Sequence, residues 1–173
     1  MKNKLNNDIM MASLFTNATE GIILANKSGE IILANPCAEQ MFCFKKEEMV
    51  GQQIEMLMPN TIQHAHVQHR ESFNTHPVNR VMGAGRDLFA KRNDGNIFPV
   101  EISLSHFALG DDLYVIAFII DITIRKHHEQ IERMQREELQ RVSGEIKQLN
   151  NELEQKIIDR TMMLRETLAQ LEE

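Results

Sequence analysis

The sequence predicts an α+β fold: an antiparallel sheet with flanking helices, followed by one long C-terminal helix. Three observations carry this. Two short β-rich runs, "EGIILAN" (20–26) and "EIILAN" (30–35), are joined by "KSG", which marks a hairpin. A second and stronger β region runs from residue 79 to 123, around the turn "NDGN" (93–96). Beyond Ile124 the only glycine is Gly144 and there is no proline, so nothing interrupts a helix.

Between the two β regions the pattern turns helical. "PCAEQMF" places Pro36 at a first helical position, where its missing N–H costs nothing, and "FKKEEMVG" stops at Gly51. From Met56 to about Thr75 the apolar spacing suits one or two helical segments. In the second β region Phe98, Val100, Ile102 and Leu104 alternate with Pro99, Glu101, Ser103 and Ser105, which gives one buried face and one polar face. "LYVIAFII" (113–120) is apolar on both faces and is expected in the middle of the sheet, covered on both sides.

In the long helix Val142, Ile146, Leu149 and Leu153 follow the 4-3-4 rhythm of a coiled-coil seam. Steps of four to Ile157 and Thr161 form a stutter, and Leu164, Leu168 and Leu171 restore the 3-4 spacing. Some 48 residues at 1.5 Å each reach roughly 70 Å. A single domain cannot bury that seam, so a parallel dimer is expected. Gly144 is either a flex point or an exposed helical glycine of no consequence. The expected division is an N-terminal helical cap over residues 1–12, the α+β domain over 13–123 and the coiled-coil helix over 124–173.

Composition narrows the function. The formal charge is −6 over 173 residues, so the basic surface that marks nucleic-acid binding or attraction to anionic lipid is not expected. No membrane span and no secretory signal are read, which places the chain in the cytoplasm. Cys37 and Cys43 match neither a zinc pair nor a CxxC motif and read as buried or half-buried thiols. Neither a Gly-x-Ser-x-Gly motif nor a carboxylate pair suggests hydrolysis.

The stretch 18–59, "GAGRDLFAKRNDGNIFPVEISLS" and the closing "DITIRK" together resemble a PAS sensor domain, over about residues 13–126. "ELEQKIIDRTMMLRETLAQLEE" resembles the segment that leads into the phosphoacceptor helix of bacterial sensor histidine kinases. The resemblance implies a five-stranded antiparallel sheet with flanking helices and a signalling helix. It also implies a downstream kinase domain and a response regulator as partners. His128-Glu129 lacks the phosphoacceptor context, and the glycine-rich ATP-binding boxes are absent, so no catalysis is expected of this chain. The reactive-cysteine run of flavin-binding light sensors is absent too.

Haem-binding PAS oxygen sensors of the FixL type carry an iron-ligating histidine on the helix after Met-Pro. Counted from Met58-Pro59, the matching position is His66, and Arg86 in "GAGR" matches their arginine. Val81, Ile102 and Leu104 match their aliphatic distal lining, and Arg80 can meet a propionate in place of Ser72. This resemblance implies haem b, with His66 as the iron ligand. His69 stands where an aromatic is common, and a PAS core that is empty or holds another ligand remains open. His64 and His69 are read as solvent-facing, and a zinc site among the three histidines lacks an acid or cysteine.

The chain is therefore expected to be a cytoplasmic sensory and dimerisation module of a sensor histidine kinase, passing a change in the core through "DIT" into a homodimeric coiled coil. Asp121 and Thr123 are the expected relay residues, since short polar side chains at a strand end can cap the next helix. The alternatives are a ligand-free dimerisation and docking module, or the input domain of a diguanylate cyclase.

Overall fold

The computed structural model describes residues 2–75, 78–82 and 87–171. Contacts divide the chain into two units, residues 1–126 and 127–173.

The first unit opens with helix α1 (Lys2–Thr16), which continues past residue 12, and strands β1 (Gly21–Asn26) and β2 (Ile31–Ala34). Helices α2 (Pro36–Phe42) and α3 (Lys46–Met49), a 3-10 turn over Ile54–Leu57 and helix α4 (Asn60–Thr75) follow. Strands β3 (Arg80–Val81), β4 (Leu88–Lys91), β5 (Ile97–Leu109) and β6 (Asp112–Asp121) complete the sheet. Every strand pairing is antiparallel. The order across the sheet is β2-β1-β6-β5, and the far edge of β5 is shared by β3 and β4, which gives five positions. The apolar β6 lies between β1 and β5, as its two-sided hydrophobicity requires.

Asn35 organises the start of the domain. It is fully buried, and Oδ1 accepts from the backbone N–H of Ala38 at 2.9 Å and of Ile22 at 2.8 Å. Its Nδ2 donates to the carbonyls of Glu20 at 2.9 Å and Phe15 at 3.2 Å. One amide thus caps α2 and ties it to β1 and to the end of α1. Pro36 takes the first helical position. At the other end of α2, Cys43 adopts φ 58°, the left-handed conformation that usually goes to glycine. Cys43 is exposed, contrary to the reading of a buried or half-buried residue, because it lies past the last helical residue, at the cap of α2 rather than on its packed face; Cys37 is half-buried.

Ile23, Ile31, Phe42, Met49 and Val100 are fully enclosed and form the centre of the core. Phe42 and Phe98 meet edge to face with centroids 5.7 Å apart, a favourable arrangement of ring quadrupoles. Inward positions of β1, β5 and β6 follow the two-residue period, so Ile23, Ile102, Leu104, Ala117 and Ile119 share one face.

Helix α5 (Thr123–Leu171) starts in the first unit and forms the second. Ile146, Leu149, Leu153, Ile157 and Leu164 are all exposed within this single chain. Arg141 bridges Glu138 and Glu145, each at 2.7 Å, at three- and four-residue spacing on the solvated side. A Cβ on Gly144 would meet nothing within 4 Å.

Candidate functional site

The inner face of the sheet and helix α4 enclose a cavity of about 150 Å³. Ile23, Ile102, Leu104, Val115, Ala117 and Ile119 form its sheet wall. Helix α4 contributes Ile62, His66, His69, Arg70, Phe73 and Asn74. Positions 62, 66, 69, 70 and 73 recur at helical spacing, so one stripe of α4 faces the sheet. His64, two residues from His66, is turned to solvent. His69 is also exposed, yet it reaches the cavity rim, which the sequence did not indicate.

The structure places Ile102 and Leu104 in the cavity wall but leaves Val81 outside it, 69% exposed. The register explains this correction. Val81 pairs with Ser103, and residues directly opposite in an antiparallel ladder share a face, so Val81 falls on the outer face with Ser103. Met82, whose N–H donates to the Ile102 carbonyl at 2.8 Å, lines the cavity instead. Arg80 pairs with Leu104 through its backbone, and its side chain and the whole of Arg86 lie outside the described residues.

His66 is half-buried, and its Nδ1 lies 2.9 Å from Oε1 of Glu55. Glu55, in the 3-10 turn, is only 7% exposed. Arg70 Nε comes within 3.2 Å of the same oxygen, close enough for an ion pair but too poorly aligned for a hydrogen bond. Oε2 of Glu55 is buried and has no hydrogen-bond partner. The Arg70 guanidinium also lies against Gly29 in the β1–β2 turn, where φ is +85° and a Cβ would collide with it. Further bonds hold α4 at its ends: Lys91 Nζ donates to Asn60 Oδ1 at 2.8 Å, and Asn74 Nδ2 to the Lys27 carbonyl at 2.8 Å. Glu55 and Arg70 escaped sequence reasoning because their partners lie on other elements, at separations no local period reports.

A second cluster sits where β6 becomes α5. Asp121 Oδ1 accepts from the Thr123 N–H at 2.8 Å and from its hydroxyl at 2.5 Å, which caps the first turn of α5. Asp121 Oδ2 accepts from Arg92 Nη2 at 2.7 Å. Arg92 also donates to the Met41 carbonyl near the end of α2, and its guanidinium lies 3.8 Å from the Phe98 ring centroid. Burial pushes the Asp121 carboxyl up, but the bonds from Thr123 and Arg92 outweigh it and hold the group below the usual carboxylate range. Arg125 pairs with Glu101 on β5, and Lys126 Nζ lies 2.7 Å from Asp87. The sequence pointed to Asp121 and Thr123; Arg92, which joins them to α2 and the core, was not singled out. Its place in "KRNDGN", beside the turn, was the available signal.

A PAS domain family model matches residues 19–123. The oxygen sensor protein DosP of Escherichia coli K12 is 29% identical over 104 residues, covering 60% of this chain and 13% of that protein. Sensor protein FixL of Bradyrhizobium diazoefficiens is 28% identical over 125 residues, covering 72% and 24%. The signal transduction histidine-protein kinase AtoS of E. coli K12 is 27% identical over 134 residues, covering 77% and 21%. The chain thus spans a quarter or less of these relatives. In fold it is similar to the crystal structure of the PAS domain of an HTR-like protein from Haloarcula marismortui, with a TM-score of 0.59 and 18% identity over 70% of this chain and 96% of that one. No helix among the described residues is long and apolar enough to cross a membrane. With an antiparallel sheet in the order β2-β1-β6-β5, helices packed on its inner face and a family match from residue 19 to 123, the chain belongs to the PAS domain family and is related to the PAS domains of sensor histidine kinases.

Proposed function

We propose that the chain is the cytoplasmic sensory and dimerisation segment of a sensor histidine kinase. The domain over 13–123 holds the signal in its cavity, and the helix over 124–173 pairs with its copy in a second chain. A change at the cavity wall reaches α5 along β5 and β6, through Arg92, Asp121 and Thr123. The kinase domain and its response regulator are the downstream partners. The relationship to AtoS supports a kinase output, and the exposed seam from Ile146 to Leu164 supports a paired helix.

Haem b is the proposed cofactor, with Nε2 of His66 as the iron ligand. The single observation that carries this reading is the Glu55–His66 contact: with Nδ1 taken by a carboxylate, Nε2 is the nitrogen left for a metal. The donor set fits, and Ile102, Leu104 and Met82 supply the dry wall that such a site needs. Bound haem supplies a gas- and redox-responsive centre. Arg86 and Arg80 are the proposed partners of its propionates. A second reading, a small apolar ligand, is favoured by the cavity volume, which falls below the roughly 300–1,000 Å³ of most cofactor pockets.

The test is the absorption spectrum of the chain expressed with haem supply. A Soret band lost in His66→Ala and kept in His64→Ala supports the haem reading. Loss in His69→Ala alone would move the ligand to that residue, and no band after reconstitution removes the haem reading. Light scattering at micromolar concentration is expected to give a dimer; a monomer would remove the paired helix. If the haem band fails and the dimer holds, a ligand-free dimerisation and docking module stands in its place. If the dimer holds but the sequence after residue 173 encodes a cyclase, the output is a diguanylate cyclase.

A further inference from the structure

We infer that the cavity takes a small neutral hydroxyl compound of about six to eight non-hydrogen atoms, its hydroxyl held between Arg70 and Asn74 on α4. The inference rests on the second reading above, a small apolar ligand, and names the chemistry of that ligand. A cavity of about 150 Å³ is comparable to those that admit a benzene-sized guest, and Ile23, Ile102, Leu104 and Ala117 offer such a guest an apolar wall. Among the polar side chains that line it, Arg70 and Asn74 have unspent hydrogen-bonding capacity. They stand one turn apart on α4, so one small group can lie against both.

Nε of Arg70 and Oδ1 of Asn74 are both buried, and among the described residues neither has a hydrogen-bond partner. The Asn74 amide is oriented by its other end, where Nδ2 donates to the Lys27 carbonyl at 2.8 Å, so the oxygen is the atom left over. Arg70 Nε faces Oε1 of Glu55 at 3.2 Å, but the alignment makes no bond. A buried donor and a buried acceptor without partners are costly, and a hydroxyl is the smallest ligand group that serves both. Its oxygen accepts from Nε–H, and its hydrogen goes to Oδ1. A water makes the same two bonds but leaves the apolar wall unfilled. Charge selects against ionised heads. The Arg70 guanidinium already stands against the Glu55 carboxylate, so a carboxylate ligand would be set beside Glu55 and an ammonium beside Arg70, in a largely desolvated place. A methyl in place of the hydroxyl fits the same volume and leaves both atoms unpaired.

The experiment titrates the full 173-residue chain, expressed without haem supply, with phenol and with toluene, which match in size and differ in the hydroxyl. Calorimetry is expected to show phenol bound about 10-fold more tightly than toluene, and benzoate and benzylamine bound at least about 10-fold more weakly than phenol. In Asn74→Leu and in Arg70→Met, phenol should fall to the level of toluene, while toluene still binds and so reports an intact cavity. Nitrogen-15 spectra of wild type should show the Asn74 side-chain amide move on adding phenol and stay in place on adding toluene, a test that needs no substitution. Toluene bound as tightly as phenol in wild type overturns this inference and leaves the small-ligand reading standing. A phenol preference that survives both substitutions, with an unmoved Asn74 amide, overturns the placement of the hydroxyl. Benzoate or benzylamine bound more tightly than phenol overturns the neutral class. Binding of neither phenol nor toluene overturns the small-ligand reading and this inference with it.

Discussion

Replacing Arg92 by Met and Asp121 by Asn, singly and together, measures how firmly the PAS core grips the start of α5. Arg92 Nη2 and Asp121 Oδ2 lie 2.7 Å apart, and the side chains are 23% and 27% exposed. That is too buried for the 0.2–1 kcal/mol of a surface pair and too wet for the 3–5 kcal/mol seen when a buried pair is broken. A coupling of about 1–1.5 kcal/mol is expected, discounted for solvent screening. Arg92→Met also loses the bond to the Met41 carbonyl, about 1 kcal/mol, and the contact with the Phe98 ring, about 0.5–1 kcal/mol. Its total cost is therefore about 3 kcal/mol. Asp121→Asn keeps an oxygen for Thr123 and should cost about 1.5–2 kcal/mol. Urea unfolding of the four proteins gives the cycle, and hydrogen exchange over residues 123–126 shows whether the first turn of α5 frays with it. Single costs that add to within about 0.3 kcal/mol would refute the coupling. Unchanged exchange over 123–126 would refute the claim that Arg92 reaches α5 through Asp121.

Three further outcomes follow from the geometry. Because the folded Asp121 carboxyl is held below its unfolded value of about 3.9, its contribution is complete above that value and is lost as the pH falls through the lower folded one. The stability difference between wild type and Asp121→Asn, followed in urea melts, should thus be flat from pH 7 to 5 and shrink below pH 4. Asn35→Ala removes one helix cap and three further bonds at a fully buried site, about 3–4 kcal/mol in all, read as a lowered urea midpoint. Gly29→Ala should cost about 1–2 kcal/mol from its positive φ alone, plus the displacement of Arg70; adding Arg70→Ala should relieve only the second part in thermal melts.

The architecture was legible where a period repeats. The alternation from Phe98 to Leu104 and the two-sided apolar run of β6 determined the buried face and the central strand before any contact was seen. The capped start of α2 at Pro36 and the turn at Gly95 were equally local signals. What stayed hidden depends on register or on distant partners. Val81 and Met82 are adjacent and both apolar, and only the pairing of a two-residue strand with Ser103 decides which of them meets the cavity. Glu55 looks like any acid in a short turn until α4 folds back over it. Arg92 reads as the basic flank of a turn, and its three partners come from α2, β5 and β6.

The unusual end of α2 has a practical side. Cys43 presents its thiol to solvent, while Cys37 is half-buried, with its sulfur 3.2 Å from the Thr19 carbonyl. Burial, with Glu20 nearby, pushes the Cys37 thiol up, which starves it of the thiolate that reacts with alkylating reagents. Under brief treatment near neutral pH a fluorophore or spin label should therefore attach to Cys43 in the unaltered chain. It would sit two residues from the carbonyl that Arg92 holds, so the molecule carries its own reporter of whether that grip is closed or released.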